Sequence, residues 1–478
     1  MPVAGLPVLH STPTARKSTY SPGLRTALVL TGTGTAGAYH AGVLCALHEA
    51  GVKIDLVAGR GMGVVSAMFA AIDGGSKLWD DRGIWRSGVA RPFYRWRASL
   101  RAAAYLFGAV VVTALFPLIS LLVAALVYPI AFVLQLVGDD AGVALSGGYS
   151  EVLSAMFGPE ALPAMLPRVM FILVLTLLAL FGVTALHSLR SRRRSRGTMW
   201  WQMLAVPLSG SEVRGRFAKA LWHLVRGASA TGRPSWRDVS REYTALLADN
   251  LGQPGFRELI VIAHDVDIRR DLVFALLAQP YRDRFFESVG EGGRRASETW
   301  DLAGVGRDHV FDALAAAVSL PVVTEPHLIA FAPNSLWRGE THRAVDRADA
   351  VSRLLEEVLN AGVEQVIVVS ATAELVLPHT LSAGRRDARG RAGEYLAAME
   401  AAAVRDAVAA RVGQFQGLFL IRPIHNPLGP FDFAGAYDER SDRRQVVAEL
   451  VDRGHQDAHR LFIDSVIAAS GERLRSVN

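Results

Sequence analysis

Short apolar runs bounded by glycine alternate with helix-period segments over most of the chain. Ala27 to Leu30 is the first run; it passes through Gly32-Thr33-Gly34-Thr35-Ala36-Gly37 and opens a helix from about Ala38 to Ala50, with apolar Ala41, Leu44, Cys45 and Leu47. Ile54 to Ala58 is the second; it crosses Gly59-Arg60-Gly61-Met62-Gly63 into an apolar helix from Val64 to about Ile72. Further on, Leu259 to Ala263, Leu328 to Phe331, Gln365 to Ser370 and Leu418 to Arg422 read as strands. Ala350 to Asn360 and Gly393 to Val412 read as helices, each with a glycine stop signal, at Gly362 and Gly413. This alternation predicts an α/β fold, a largely parallel sheet covered by helices.

Two apolar runs break the pattern. Ala102 to Val137 carries no formal charge over 36 residues, and as one helix it would reach roughly 54 Å, beyond a ~30 Å hydrocarbon core. Pro117 and Pro129 offer places to bend. Val169 to Leu186, 18 uncharged residues, is near the minimum for a span. Arginines 86, 91, 95, 97 and 101 precede the first run and arginines 190, 192, 193, 194 and 196 follow the second, whereas the loop Gly138 to Met165 holds only acidic charges. By the positive-inside rule both flanks are cytoplasmic and the loop lies on the far side. Two flanks on one side require an even number of crossings, so two spans are expected, the first long and kinked. Trp85, Phe93, Tyr94 and Trp96 before them, and Trp200 and Trp201 after, suit an interfacial aromatic belt. The expected organisation is a disordered Pro/Ser/Thr-rich tail over 1–24, an α/β part over 25–80, a transmembrane helical insertion over 81–201 with spans at about 102–137 and 169–186, and the rest of the α/β domain over 202–478.

The net charge of +6 would ordinarily raise nucleic acid as a partner. Four lysines stand against 47 arginines, many flanking the apolar runs, and that distribution suits a membrane surface better than a nucleic-acid stripe. The lipid bilayer is therefore the expected partner, and a multi-pass inner-membrane protein with its α/β domain in the cytoplasm the expected placement. Cys45, the only cysteine, excludes an internal disulfide and is expected in the core.

The candidate chemistry lies in the two glycine-rich turns. The first can present consecutive N–H groups to an anion at a helix N-terminus. It also fits a dinucleotide-binding turn, which needs an acidic residue at the end of the next strand; the candidate, Asp55, stands at that strand's beginning. Gly59, Gly61 and Gly63 have the spacing of a nucleophile elbow, G-x-S-x-G, a strained strand-to-helix turn that exposes its central side chain. That side chain is here a hydrogen. Together the turns resemble the N-terminal half of the patatin-like phospholipases, in which G-G-G-x-[KR]-G forms the oxyanion hole and G-x-S-x-G carries the serine of a Ser-Asp dyad. The resemblance implies oxyanion-hole-like roles for Gly32, Thr33, Gly34 and Gly37, an elbow at Gly59, Gly61 and Gly63, no cofactor and no metal, with a membrane lipid or acyl ligand as partner. Ala36 stands where the family has Arg or Lys, and Gly61 occupies the serine position. Asp312 to Pro321 resembles the family's alanine-rich helix before the dyad aspartate, and counting on from it places Arg338 at the aspartate position. Asp346 and Asp349 read as N-terminal acids of the next helix. Ile421 to Arg444 resembles the final strand and loop of bacterial members.

An acyl hydrolase of this kind needs an activated serine oxygen. The resemblance therefore implies a membrane-anchored protein related to lipid acyl hydrolases but without dyad hydrolysis, a scaffold or regulator. The alternatives are an active hydrolase using Ser66 or Thr33, which a hydroxyl and a carboxylate in contact beside the turns would favour, and nucleotide binding at Gly32 to Gly37. His264, Asp265 and Asp267 after one strand, and His425, Asp432, Asp438 and Asp442 after another, have site-like spacing but read more simply as hydrogen-bonded loops.

Overall fold

The computed structural model describes residues 19–138, 140–158, 165–191, 206–227, 235–287, 295–333, 335, 337–373, 387–438 and 440–467. They form two compact units, one from the segments 1–95 and 209–478, the other Trp96–Leu208.

In the first unit β1 (Thr26–Gly32), α1 (Ala36–Glu49), β2 (Leu56–Gly61), α2 (Met62–Ala71) and the single turn α3 (Ser76–Trp79) precede the second unit. The second unit holds α4 (Ala98–Leu136), α5 (Ala141–Met156) and α6 (Leu166–Ser191). The first unit resumes with α7 (Ser211–Arg226), α8 (Trp236–Asn250), β3 (Glu258–Asp265), β4 (Arg270–Leu276), α9 (Tyr281–Glu287), β5 (Ser297–Asp301), α10 (Val310–Ala317), β6 (His327–Ala330) and β7 (Thr341–Val345). It closes with α11 (Val351–Asn360), β8 (Gln365–Ser370), α12 (Ala388–Arg411), β9 (Gly417–Ile421), β10 (Ala436–Asp438), β11 (Arg443–Gln445) and α13 (Val447–Ala458), which runs on as a π-helix over His459–Ile467.

The sheet runs β5-β4-β3-β2-β1-β8-β9, with β7 pairing β3 and β6. The β3-β2-β1-β8-β9 stretch is parallel throughout, whereas β4 and β7 each run antiparallel to β3. The two central strands are buried along their whole length, which is why β1 and β2 read as continuous apolar runs and not as alternating ones. Ala27, Val29, Leu56, Ala58, Ile260 and Val368 pack on one face beneath Val351, Leu354, Leu355 and Val358 of α11. Leu359 of α11 and Val404 of α12 join the same cluster.

Residues 19–24 belong to this unit and not to a tail. Tyr20 is 1% exposed, its ring packs edge-on against Phe462 at 5.5 Å and Phe419 at 6.5 Å, and its hydroxyl donates to the Lys53 carbonyl at 3.1 Å. The aromatic belt is also revised. Trp85, Phe93 and Tyr94 are buried in the first unit and Trp96 is exposed; Trp200 and Trp201 lie outside the described residues.

In the second unit α4 is one continuous helix of 39 residues with Pro117 and Pro129 inside it, about 58 Å long. It is not broken into a hairpin. The expected far-side loop contains α5, which folds back along α4: Tyr128 and Tyr149 meet edge to face at 5.8 Å and Phe116 approaches Phe157 at 6.4 Å. α6 packs on α4 as well. Among the described residues α4 alone is long and apolar enough to cross a membrane; the apolar stretch Arg168–Val183 of α6 is shorter.

Candidate functional site

β1 and β2 end level with each other, Gly32 opposite Gly61. β2 passes directly into α2 and β1 reaches α1 through Thr33, Gly34 and Thr35, so the two turns share one point at the carboxyl edge of the sheet, where ligands of open α/β sheets bind. Gly61 has φ 56° and ψ −132°, a conformation that side-chain-bearing residues adopt only at a cost of about 1–3 kcal/mol. Gly61 thus meets the strand-to-helix junction in a strained conformation with no side chain of its own. A Cβ on Gly61 would lie 2.5 Å from the Gly32 carbonyl oxygen and 2.9 Å from Asp346 Oδ2.

The carboxylate facing Gly61 is thus Asp346, eight positions beyond the one expected from spacing. Arg338 is exposed in the turn between β6 and β7, with positive φ. The hairpin made by β6 and β7 lengthens the path from the alanine-rich helix, and counting along the sequence cannot see a hairpin. Asp346 follows β7 directly and is 3% exposed. Its N–H donates to the Ser319 carbonyl at 2.7 Å, which ties it to the end of α10. Asp349 is exposed and pairs with Arg347 at 3.3 Å.

Arg60, the residue before Gly61, is fully buried. Its Nε donates to Thr31 Oγ1 at 2.8 Å, its Nη1 to Asp346 Oδ2 at 3.0 Å and its Nη2 to Glu400 Oε1 on α12. Glu400 Oε1 also accepts from the Thr33 hydroxyl. One guanidinium therefore bridges two buried carboxylates, and a glycine-loop hydroxyl closes the network. Burial raises the Asp346 carboxyl to about 6, Arg60 opposing that shift and the Glu400 charge adding to it. The two carboxylates hold the Arg60 guanidinium above its ordinary value against the opposing effect of burial.

The first turn is equally occupied. Thr35 N–H donates to the Pro430 carbonyl at 3.1 Å and its hydroxyl to the Gly429 carbonyl at 2.9 Å. Ala36 N–H donates to Thr33 at 3.2 Å. Gly34, at φ 60°, has the Pro430 carbonyl oxygen 1.8 Å from where a Cβ would stand. Only glycine admits the 429–431 loop this closely. Gly32, Thr33, Gly34, Gly37, Gly59, Gly61 and Gly63 are all buried. Over Gly37 lies Trp85, part of an aromatic cluster in which Phe93 meets Phe217 and Phe433 at 5.5 Å each and Tyr94 meets Phe431 at 5.7 Å.

Of the hydroxyls that could stand in for serine, Ser66 is 1% exposed and lies 3.4 Å from His40 Nδ1, while His40 Nε2 faces the Thr31 carbonyl at 3.1 Å. Burial lowers His40 to about 4, so the imidazole is neutral at pH 7. Thr33 is the hydroxyl in contact with a carboxylate.

The remaining charged motifs are engaged in hydrogen bonds. Asp55 accepts from Thr26 N–H at 2.8 Å at the amino end of the sheet, the opposite end from Gly32, so it cannot hold a ribose above the first turn. Asp265 accepts from Asp267 N–H at 2.8 Å and pairs with His342 at 2.7 Å, and His264 pairs with Asp271 at 2.8 Å. His425 and Asp438 meet at 2.8 Å, and Asp432 accepts from Gly429 N–H at 2.7 Å. The Tyr437 hydroxyl donates to Asp442. Cys45 is half-buried, outside the core, with its thiol donating to Glu49 at 3.3 Å.

No family model and no curated protein matches the chain. Among solved structures it is similar to VipD from Legionella pneumophila, at 12% identity and a TM-score of 0.30, with 93% of this chain and 68% of that chain covered; a likeness this slight carries no argument about the site.

Proposed function

We propose that the chain is a membrane-anchored protein of patatin-like fold whose elbow has become a closed ion-paired joint, so that it performs no Ser-Asp hydrolysis and works as a scaffold or regulator at the bilayer surface. The observation that carries this reading is the occupancy of position 61, with 2.5 Å from a Cβ to one backbone oxygen and a carboxylate behind it already held by Arg60. Loss of the nucleophile alone removes orders of magnitude in rate; here the space for a replacement is also taken. In this reading α4 and α6 anchor the chain with both flanks cytoplasmic, supported by the arginines before α4 and by its exposed apolar surface. Lipid contact then comes through the insertion, because an acyl chain at the elbow would have to displace Trp85 and the 429–431 loop.

The test uses the full chain in phospholipid nanodiscs, assayed against phospholipid and short acyl esters and probed with a serine-directed fluorophosphonate. No turnover and no labelling are expected, and Gly61→Ser is expected to gain neither. Family-like turnover in the unmodified protein, or gain of activity in Gly61→Ser, would refute the reading.

A second reading, an active hydrolase with Thr33 as nucleophile, is favoured by the Thr33 to Glu400 contact alone. Against it, both groups are 2% exposed and the same Glu400 oxygen is bound by Arg60. Turnover abolished by Thr33→Val in a folded protein would establish it.

A further inference from the structure

Away from the elbow, α1 and α13 pack along each other so tightly that a Cβ on Gly42 would meet the Val451 carbonyl oxygen at 1.8 Å and one on Gly454 the Tyr39 carbonyl oxygen at 2.2 Å. The Tyr39 hydroxyl donates to Asp457 at 3.1 Å across the same seam. One turn further along α1, this close approach brings Cys45 and Glu49, four residues apart on α1, up to His455 on α13. A thiol sulfur, a carboxylate oxygen and an imidazole nitrogen from these three all lie within 4.8 Å of one another.

The geometry points to a zinc-binding site formed by Cys45, Glu49 and His455. A sulfur, a nitrogen and an oxygen are the donors zinc takes, and ligand atoms around a tetrahedral zinc stand about 3.5 Å apart for bonds of ~2.0–2.3 Å. Glu49 already stands 3.3 Å from the Cys45 sulfur and 2.8 Å from the His455 nitrogen, and any remaining adjustment between sulfur and nitrogen, which lie within 4.8 Å, is within reach of side-chain rotation at Glu49 and His455, whose side chains are 55% and 36% exposed. His459, one helical turn beyond His455 with its ring 4.9 Å away, is placed for the fourth position, and water fills that position if it does not.

Two contacts already join the same three side chains. Glu49 accepts from His455 at 2.8 Å and from the Cys45 thiol at 3.3 Å. Burial and the Glu49 carboxylate push the thiol up to about 12, only partly offset by Arg86 nearby, while the His455 contact holds Glu49 below its usual range. A divalent cation replaces the proton between sulfur and carboxylate: the S–H bond breaks, the sulfur–metal bond forms with the electron pair left on sulfur, and the proton goes to solvent. His455 binds as neutral imidazole and gives up a second proton where it is protonated beforehand. The bound ion would staple α1, the helix that follows the glycine-rich turn, to the C-terminal helix.

The experiment titrates reduced, tag-free full chain with Zn²⁺ by calorimetry and with Co²⁺ by absorption. Cys45 is the only cysteine, so any thiolate-to-cobalt charge-transfer band reports this site. Expected are one Zn²⁺ per chain at micromolar affinity or tighter, release of at least one proton, and a charge-transfer band that Zn²⁺ displaces. Cys45→Ser should abolish the band, and His455→Ala and Glu49→Gln should each weaken binding at least tenfold; His459→Ala decides whether it is the fourth ligand. X-ray absorption of the unmodified zinc-loaded protein gives the same answer if a variant fails to fold, with one sulfur and the remainder nitrogen or oxygen expected. Absence of the band at excess Co²⁺, no sulfur in the zinc shell, or a band unmoved by both His455→Ala and Glu49→Gln would overturn the proposal.

Discussion

Arg60→Met tests the joint at its centre. The substitution keeps apolar bulk under the elbow but removes the one cation that Asp346 and Glu400 share. Breaking a buried pair by deleting one partner costs about 3–5 kcal/mol, and protonation sets a ceiling on that loss. A carboxyl forced to stay neutral in the folded state costs about 1.36 kcal/mol for each pH unit above its unfolded value near 4. Asp346 is already raised to about 6 with Arg60 in place, so the added cost falls chiefly on the second carboxyl, about 4 kcal/mol at pH 7 and about 1.4 kcal/mol at pH 5. Native-state hydrogen exchange of β1 and β2 amides in nanodiscs, corrected for the intrinsic pH dependence of exchange, reads this as opening free energy. At pH 7 protection should fall about a thousandfold; at pH 5, about tenfold. Adding Asp346→Asn and Glu400→Gln should restore most of it, because no charge is then left to neutralise. A loss below about 1 kcal/mol at pH 7, or equal losses at the two pH values, would show that the guanidinium is not what holds the joint shut.

Three further outcomes follow from the same geometry. Asp346 is raised from 3.8 to about 6 in the folded protein, so between those values the folded state holds a proton the unfolded state has lost. Its contribution to stability is complete below pH ~4 and falls by about 3 kcal/mol as pH rises to ~6; Asp346→Asn should flatten that part of the pH profile, and an unchanged profile would count against the burial argument. Gly34→Ala forces both positive φ and a 1.8 Å contact with Pro430, and should lower the midpoint of thermal unfolding by well over the few degrees that about 1 kcal/mol produces, whereas a neutral result would mean that the 429–431 loop readily moves. In a Cys45→Ser background, Asp140→Cys should react with a membrane-impermeant maleimide from outside spheroplasts and Arg95→Cys should not; equal labelling would reject the two-crossing topology.

The sheet was largely legible because β1, β2, β3 and β8 are short apolar runs ending at glycine or polar residues, and burial on both faces leaves little room for other readings. β4, β5 and β7 were not foreseen. Arg270–Leu276 begins with charge beside a four-residue turn, and Thr341–Val345 carries the adjacent polar pair His342 and Arg343. Spacing puts Arg338 opposite Gly61, whereas Asp346 is the residue that faces it, since the β6–β7 hairpin intervenes. Arg60 was the available signal: a cation between two glycines at the end of an apolar strand must find anions inside the fold. Its partner Glu400 sits on a helix whose alanine-rich sequence barely distinguishes one face from another, which kept it silent. The aromatic residues ahead of α4 misled for a related reason, because tryptophan and tyrosine serve equally at a bilayer interface and in a core.

The segment from Trp96 to Leu208 leaves and returns through a single doorway. Arg97 N–H bonds the Pro207 carbonyl at 3.1 Å, Trp96 and Leu208 form an antiparallel bridge, and Ser209 N–H bonds the Arg95 carbonyl at 2.9 Å. Over a hundred residues are thus inserted between two positions, Arg95 and Ser209, that are themselves hydrogen-bonded neighbours. A tight turn joining Arg95 to Ser209 would therefore close the chain of the sheet-bearing unit across a gap that is already bridged.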